Sequence, residues 1–362
     1  MLSENDIIAV NSKFGLDDYP LKNSLLSSVM KKLRQKRVPI PKDEIYSLLY
    51  LGNIVQLWLQ SPPCRFSEAG FCTICNYWKG HRIDNIVASV TASAKIQGHP
   101  KSILLNTCGS VLDTYELPLK EREYLFSWIR NLNIPEVIIE THLSTLTPES
   151  LRHVAEFLPD KQICFEVGIE SMNPNVLFYC LNKPCRTDDF RKILLELHRY
   201  KNFRAIANII LGSPFMTKKE QEADAINSIL SLLEIGFDYA VIFPVNIKPL
   251  TVPALLYENG MYDRILLDSL INVLERLPDE ILPLVNTAWY GNRSEKGVIP
   301  PDCGCEEKVK LIDIYNTVET PKERREILNH LCRLRAKNTS NSTLTFKARL
   351  ESGYSFLKSY LL

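Results

Sequence analysis

The segment from Ser61 to Trp78 reads SPPCRFSEAGFCTICNYW and carries Cys64, Cys72 and Cys75 in the spacing C-x7-C-x2-C. It follows the apolar run Ile54–Leu59, which is typical of a buried β-strand. Electron-transfer clusters normally take four thiolates. Three thiolates leave one iron of a [4Fe–4S] cluster open, by the logic that leaves a catalytic zinc one open position. We therefore predict that these cysteines hold a cluster whose open iron binds the amino and carboxylate groups of S-adenosylmethionine (SAM).

Two other interpretations of the cysteines stay open at this point. The three thiolates together with His81 could form a zinc knuckle, which would make the chain a zinc-dependent nucleic-acid-binding module. They could also be buried structural thiols, although two of them lie among turn residues and polar side chains.

Beyond this segment, short β-branched runs alternate with longer helical stretches along the chain. The predicted strands are Ile54–Leu59, Ser102–Thr107, Glu136–Glu140, Ile163–Val167, Ala205–Leu211, Tyr239–Pro244 and a weaker seventh, Leu282–Asn286. The predicted helices include Leu119–Leu132, Thr147–Phe157, Thr187–Tyr200 and Lys218–Ile235. The alternation predicts an α/β fold, a partial (β/α)6-type barrel, with a doubly wound sheet as the alternative. In a barrel the cysteine loop would lie at the carboxyl ends of the strands, where active sites are built.

The sequence divides into three predicted regions. Residues 1–46 are expected to form a helical N-terminal extension, residues 47–290 the barrel core, and residues 291–362 a cysteine-containing loop and a helical C-terminal extension. The first extension ends in the basic run Lys31–Arg37, which could contact phosphate or a peptide, or could be a solvated helix cap. In the last region, a polar linker is predicted over Asn338–Thr343 and an amphipathic helix over Phe346–Leu361.

Composition places the chain among soluble proteins of the cell interior. Of its 362 residues, 45% are apolar and 23% are charged, and the formal net charge is +1. That charge gives no general attraction to nucleic acid or to a membrane. We find no secretion signal at Met1–Asp6 and no apolar run long enough to cross a bilayer. We therefore expect a cytoplasmic protein without a membrane partner, whose ten cysteines stay reduced.

The C-x7-C-x2-C element with its Cys-Arg-Phe start resembles the radical SAM superfamily, and within it the elongator-type branch. The chain is most similar to the archaeosine-biosynthesis radical SAM proteins, which act on a modified guanosine of archaeal tRNA. The resemblance runs from about Gln60 to Lys310 and includes the segments NTCGSVLD at 106–113 and FEVGIES at 165–171.

The resemblance implies a set of SAM contacts along the strand ends. These are Ile74, Asn76, Asn106, Thr107, Gly109, Ser110, Glu140, Glu166, Glu170, Ser171, Asn208, Phe243 and Val245. His142 stands where relatives usually have an arginine and is a possible auxiliary or substrate contact. Cys303 and Cys305 are a further candidate, for zinc, an auxiliary cluster or substrate.

The resemblance implies a radical SAM enzyme that cleaves SAM reductively to a 5′-deoxyadenosyl radical, which takes hydrogen from a substrate. Such an enzyme needs a low-potential electron donor of the flavodoxin or ferredoxin type. The substrate is expected to be a modified nucleobase of tRNA. The alternative is a peptide or another small natural product.

Overall fold

The computed structural model describes residues 2–35, 46–82, 84–183, 187–291, 297–302, 304–335 and 344–362. The candidate ligand Cys303, the predicted linker over 338–343 and the end of the basic run, Lys36 and Arg37, lie outside these ranges.

One eight-stranded sheet forms the centre of the fold, with its strands in chain order. The strands are β1 Tyr46–Leu51, β2 Ile54–Leu59, β3 Ser102–Asn106, β4 Glu136–Thr141, β5 Gln162–Glu170, β6 Phe203–Leu211, β7 Tyr239–Pro244 and β8 Val285–Thr287. β1 pairs antiparallel with β2, and β2 to β8 are parallel. The described strands β1 and β8 do not pair, so the barrel is open between them. A doubly wound sheet would reverse its strand order at a switch point, so the chain-order sheet confirms the partial barrel.

Thirteen described helices surround this sheet. They are α1 Glu4–Phe14, α2 Ser24–Arg34, α3 Arg65–Glu68, α4 Ile86–Ser93, α5 Leu119–Arg130, α6 Pro148–Phe157, α7 Thr187–Leu197, α8 Lys218–Glu234, α9 Val252–Glu258, α10 Leu267–Glu275, α11 Glu306–Thr317, α12 Pro321–Arg333 and α13 Phe346–Leu361. The apolar residues on the outer face of the sheet form the main core with α4 to α8 and α10 to α12. Each crossover from one parallel strand to the next therefore returns the chain to the same end of the barrel.

Two sequence predictions need correction at the edges of the sheet. The strand β1 was not predicted, because four of its six residues are exposed and it forms only a hairpin with β2 through Gly52 and Asn53. At the other edge, the predicted strand Leu282–Asn286 is largely a 3₁₀ helix, Asp279–Leu284, followed by β8. Pro283 lies inside that stretch and cannot donate a ladder hydrogen bond, which delays the strand.

The inner face of the sheet is layered, and this layering positions the site. An apolar layer of Leu104, Ile138, Cys164 and Ile206 lies low in the barrel. Side chains two residues further along a strand lie on the same face. The next layer toward the carboxyl ends is therefore polar and consists of Asn106, Glu140, Glu166 and Asn208.

The two terminal extensions share a second core. It unites residues of α1, α2, α9 and α13 with the π-helical turn Val176–Leu181 that follows β5. Asn23, at the start of α2, donates to the Tyr354 hydroxyl on α13 at 2.6 Å, and that hydroxyl donates to the carbonyl of Tyr179 at 2.8 Å. Helix α13 matches its predicted bounds. The extensions thus support the loops at the carboxyl ends of the strands.

A buried ion pair joins α10 to α11 and predicts a large effect on stability. Lys308 Nζ lies 2.5 Å from a carboxylate oxygen of Asp268, and the two residues are only 4% and 8% exposed. Breaking a buried ion pair on one side is strongly destabilising, so Lys308→Met should lower the free energy of unfolding by about 3–5 kcal/mol. Urea denaturation measures this. The matched control Lys310→Met, exposed on the same helix, should leave the midpoint unchanged; equal midpoints for both variants would contradict the prediction.

Candidate cofactor site

A cavity of about 1190 Å³, open mouth included, lies inside the barrel at the carboxyl ends of the parallel strands. The predicted site residues that line it are Cys64, Cys72, Ile74, Cys75, Asn106, Gly109, Glu140, His142, Glu170, Asn208, Phe243 and Val245. The structure therefore brings the three motif cysteines and most of the expected SAM contacts to one cavity.

The cysteine loop places its three thiols on one wall of this cavity. Cys64 is the residue before α3, and Cys72 has a left-handed backbone with φ of 59°. A hydrogen bond from the Cys72 thiol lowers the pKa of Cys75 to about 6, while the same bond and burial raise the pKa of Cys72. Burial, reinforced by the charge on Cys75, raises the pKa of Cys64 to about 12. A cation bound at Cys64 would oppose this shift and favour the thiolate.

The side chain of Arg34, from α2, lies against this loop. Its guanidinium donates to the carbonyl of Phe71 at 3.1 Å and to Ser67 Oγ at 3.5 Å. Burial lowers the pKa of Arg34, and the negative charges of the cysteines oppose that shift. The N-terminal extension thus supplies a positive charge beside a group of thiolates.

This placement changes the interpretation of the basic run. Arg34 binds the cysteine loop, and Lys32 donates to the carbonyls of Tyr360 and Leu361 at 2.7 and 3.1 Å. The charged groups of these two residues therefore make hydrogen bonds within the protein, and they do not form a solvated helix cap.

Glu116 organises the loop after β3, and sequence reasoning missed it. Its Oε2 accepts hydrogen bonds from Thr107 Oγ1 at 2.9 Å and from the amides of Gly109 and Ser110 at 2.6 and 3.1 Å. The residue is 3% exposed, and its other oxygen, Oε1, has no hydrogen-bond partner. Burial raises the pKa of Glu116 to about 7. An acid just before Leu-Pro in a loop gives no sequence signal for such a position.

His142 contacts the first cysteine. Its Nε2 lies 3.3 Å from Cys64 Sγ, and its ring centroid is 5.0 Å from that of Phe66. Burial, assisted by the charge of Lys183, lowers the pKa of His142 to about 3, so the ring is neutral at neutral pH. The ligand atoms of Cys64, Glu116 and His142 all lie within 4.8 Å of one another.

A belt of amides and carboxyls lies at the floor of the cavity, with Glu166 directly behind the lining residue Asn208. Gln56 donates to Asn106 at 2.9 Å, Asn106 donates to Glu140, and Asn208 donates to Glu166. Burial raises the pKa of Glu140 to about 7 and that of Glu166 to about 8. The belt therefore contains carboxyl groups that are partly protonated at neutral pH, one of them exposed to the cavity.

A lysine that sequence reasoning also missed binds the end of β5. Lys183 Nζ lies 2.6 Å from Glu170 Oε1 and 2.7 Å from the carbonyl of Gly168. Glu170 has a left-handed backbone with φ of 71° at a register irregularity between β5 and β6. The irregularity turns its carboxylate toward Lys183 and the cavity. Lys183 follows the π-helical turn, which periodicity does not predict.

The remaining expected contacts lie behind the cavity wall. Thr107 and Ser110 bind Glu116, and Ser110 Oγ also contacts the hydroxyls of Thr141 and Thr145. Ser171 donates to Asp224 at 2.9 Å, away from the cavity. Asn76 and Glu166 are buried and do not line the cavity. Cys305 precedes α11, and no group of potential metal ligands in the described ranges includes it.

Comparison with known proteins gives distant relatives. No protein-family model matches the chain. An uncharacterized protein of Methanocaldococcus jannaschii is 25% identical over 85% of this chain and 90% of its own length. Proteins named archaeosine synthase subunit beta are 27% identical in Thermococcus kodakarensis, over 58% of this chain and 67% of theirs, and 24% identical in Methanosarcina acetivorans, over 67% and 72%. The chain resembles the archaeosine-biosynthesis radical SAM proteins.

Solved structures similar to this archaeosine-synthase-like chain include two radical SAM proteins. The radical SAM methyltransferase TsrM from Kitasatospora setae matches with a TM-score of 0.37 and 12% identity, over 54% of this chain and 37% of that one. Coproporphyrinogen III oxidase from Escherichia coli matches with a TM-score of 0.31 and 15% identity, over 40% and 31%. Among the described residues, no helix has the length and apolar character needed to cross a bilayer.

Proposed function

We propose that the chain is a cytoplasmic radical SAM enzyme in which Cys64, Cys72 and Cys75 hold a [4Fe–4S] cluster. The observation that carries this proposal is that all three motif cysteines line one cavity, at the carboxyl ends of the parallel strands, together with most of the expected SAM contacts. When bound, the cluster would supply the electron that breaks the sulfonium C–S bond of SAM, giving methionine and a 5′-deoxyadenosyl radical.

The donor set fits such a cluster better than a single zinc ion. Thiolates bound to one tetrahedral zinc at about 2.3 Å lie roughly 3.8 Å apart. Cys72 and Cys75 are hydrogen-bonded to each other, but Cys64 does not join them in a group whose ligand atoms all lie within 4.8 Å, and no such group of described residues includes His81. The more distant Cys64 suits a cluster, in which each thiolate binds a different iron, and Arg34 provides a cation beside the three cysteines.

The other side chains of the cavity would bind and orient SAM. The apolar side chains of Ile74, Phe243 and Val245 line the wall and would pack on the adenine. The Glu170 carboxylate, fixed by Lys183, would accept hydrogen bonds from the ribose hydroxyls. Glu116 would act indirectly, because it holds the backbone amides of the loop after β3 in place.

The test is reductive SAM cleavage by anaerobically reconstituted protein. Dithionite-reduced protein should release 5′-deoxyadenosine from SAM slowly without substrate, measured by liquid chromatography and mass spectrometry. A colourless protein that binds zinc and releases none would favour the nucleic-acid-binding module instead.

The contact of Glu170 with SAM predicts a moderate loss of affinity. In Glu170→Gln a charge-assisted hydrogen bond to a ribose hydroxyl becomes a neutral one, so SAM binding should weaken by roughly 1–2 kcal/mol. Equilibrium dialysis with labelled SAM measures this. The variant Lys183→Met separates the contact of Glu170 with SAM from the contribution of its ion pair, because it keeps the Glu170 carboxylate and removes only its partner. Wild-type affinity in Glu170→Gln would show that Glu170 does not contact SAM.

We propose a modified nucleobase of tRNA as the substrate, since the relatives are named archaeosine synthase subunits. A flavodoxin- or ferredoxin-type protein would supply the electron. Archaeal tRNA added to the cleavage assay should raise 5′-deoxyadenosine release, with an inverse dependence on salt. Stimulation by peptides or small natural products, with none by tRNA, would favour the second substrate class, which the net charge of +1 also permits.

A further inference from the structure

We propose that Cys64, Glu116 and His142 form a mononuclear site for a divalent transition metal of the Zn²⁺ type. This site would be filled when Cys64 is not a ligand of the proposed cluster. It shares Cys64 with the three-cysteine motif and differs from that motif in its other two ligands.

Three neighbouring loops bring the ligand atoms together. Cys64 follows β2, Glu116 belongs to the loop after β3, and His142 directly follows β4. Their ligand atoms all lie within 4.8 Å of one another, and the distance from Cys64 Sγ to His142 Nε2 is 3.3 Å. Ligands of a tetrahedral zinc, at about 2.0–2.3 Å from the metal, are separated by roughly 3.3–3.8 Å. The site therefore needs only a small contraction around an ion.

Gly109 lets two of these ligands approach each other closely. A Cβ placed on Gly109 would lie 2.5 Å from Glu116 Oε1 and 2.7 Å from Cys64 Sγ. Both ligand atoms therefore lie against the same face of Gly109, where the Cβ of any other residue would force them away.

Glu116 supplies an independent indication of a missing cation. Its Oε2 is held by hydrogen bonds from Thr107, Gly109 and Ser110, and these fix the orientation of the carboxylate. Its Oε1 is buried on the side of Cys64 and has no hydrogen-bond partner among the described residues. Buried polar atoms are rarely left unpaired, and a bound ion is one of the recognised explanations.

The donor types select the metal. A thiolate, an imidazole and a carboxylate are the ligands that zinc takes in proteins, and three of them leave one position for water. Thiolate and imidazole ligands disfavour Mg²⁺ and Ca²⁺, which prefer oxygen. On binding, the Cys64 thiol would lose its proton to solvent, so the ion must compete with that proton.

The shared cysteine makes this site and the proposed cluster mutually exclusive. An ion between Cys64, Glu116 and His142 would occupy one of the three thiolates that the cluster needs. The site would therefore hold metal in the cluster-free protein and would compete with cluster assembly. This competition rests on the proposed function, whereas metal binding by the triad does not.

The experiment titrates cluster-free full-length protein with Co²⁺ under anaerobic conditions. Wild-type protein should bind one Co²⁺ with the visible bands of tetrahedral cobalt and a near-ultraviolet thiolate-to-cobalt band. Glu116→Gln and His142→Ala should each weaken binding at least tenfold. The double variant Cys72→Ala/Cys75→Ala should bind Co²⁺ as the wild type does, and so should the control His81→Ala. Thermal melting by circular dichroism confirms that the compared variants are folded.

The opposite pattern would overturn the proposal. If Cys72→Ala/Cys75→Ala loses Co²⁺ while Glu116→Gln and His142→Ala keep it, the motif cysteines bind the ion instead. Wild-type protein without the thiolate-to-cobalt band would likewise exclude a site that contains Cys64. SAM cleavage by reconstituted protein is scored separately, so failure of the metal site leaves the proposed function standing.

Discussion

Alanine at Cys64, Cys72 and Cys75 together is expected to abolish iron binding after anaerobic reconstitution. The wild type should hold about four irons and four sulfides per chain at this motif, and the triple variant none, because each iron-bound thiolate is lost. Iron and sulfide analysis, together with the brown absorption of the cluster, measures the change. The release of 5′-deoxyadenosine should fall to background in the same preparation.

Two features of the site make this result specific. Cys75 lines the cavity, and Cys64 lines it as well and is buried against His142, so both thiols face the proposed cluster position. The control Cys305→Ala/Cys332→Ala removes two half-buried cysteines distant in sequence from the motif and should keep full iron content. Equal iron content in the triple variant and the wild type would contradict the central assignment.

The strands that carry the site were predictable because their periodicity is strong. The bounds of β2 and β7 match the sequence prediction, and the first cysteine follows β2 by a few residues. Burial on both faces gives such strands continuous apolar runs, which stand out in a single sequence. Their carboxyl ends must meet at one end of a parallel barrel, and the location of the cavity follows from that.

The residues that sequence reasoning missed act through tertiary contacts. Arg34 lies in a basic run that reads as an exposed helix end, yet α2 packs against the cysteine loop and buries its guanidinium. Lys183 is positioned by a π-helical turn, and Glu116 by backbone amides of a loop. None of these three positions follows from the periodic spacing of apolar residues, which is the signal that reveals helices and strands in a single sequence. Ser171 is the opposite case. Its position in the segment FEVGIES suggested a SAM contact, but its hydroxyl donates a hydrogen bond to Asp224.

Gly109→Ala is the second change for which we expect a large effect. A Cβ at this position would lie 2.5 Å from Glu116 Oε1, 2.7 Å from Cys64 Sγ and 2.8 Å from Cys64 Cβ. Contacts this short force atoms to move, and overpacking a buried position typically costs about 1–3 kcal/mol. Neither neighbour can yield freely, because Glu116 is held by backbone amides and Cys64 is the residue before α3.

The expected result is therefore displacement of Cys64 from its ligating position. Iron content after reconstitution should fall at least severalfold, and SAM cleavage at least tenfold, because loss of one thiolate leaves the cluster with two protein ligands. The matched control is Gly291→Ala, whose Cβ would meet, among the described residues, only Val309 Cγ1, at an ordinary 3.9 Å. That variant should keep wild-type iron and activity.

Comparable thermal melting of both variants would assign the loss to the site and not to unfolding. Full iron content in Gly109→Ala would mean that the loop after β3 can move away from Cys64, and the close approach would then have no role in holding the cysteine.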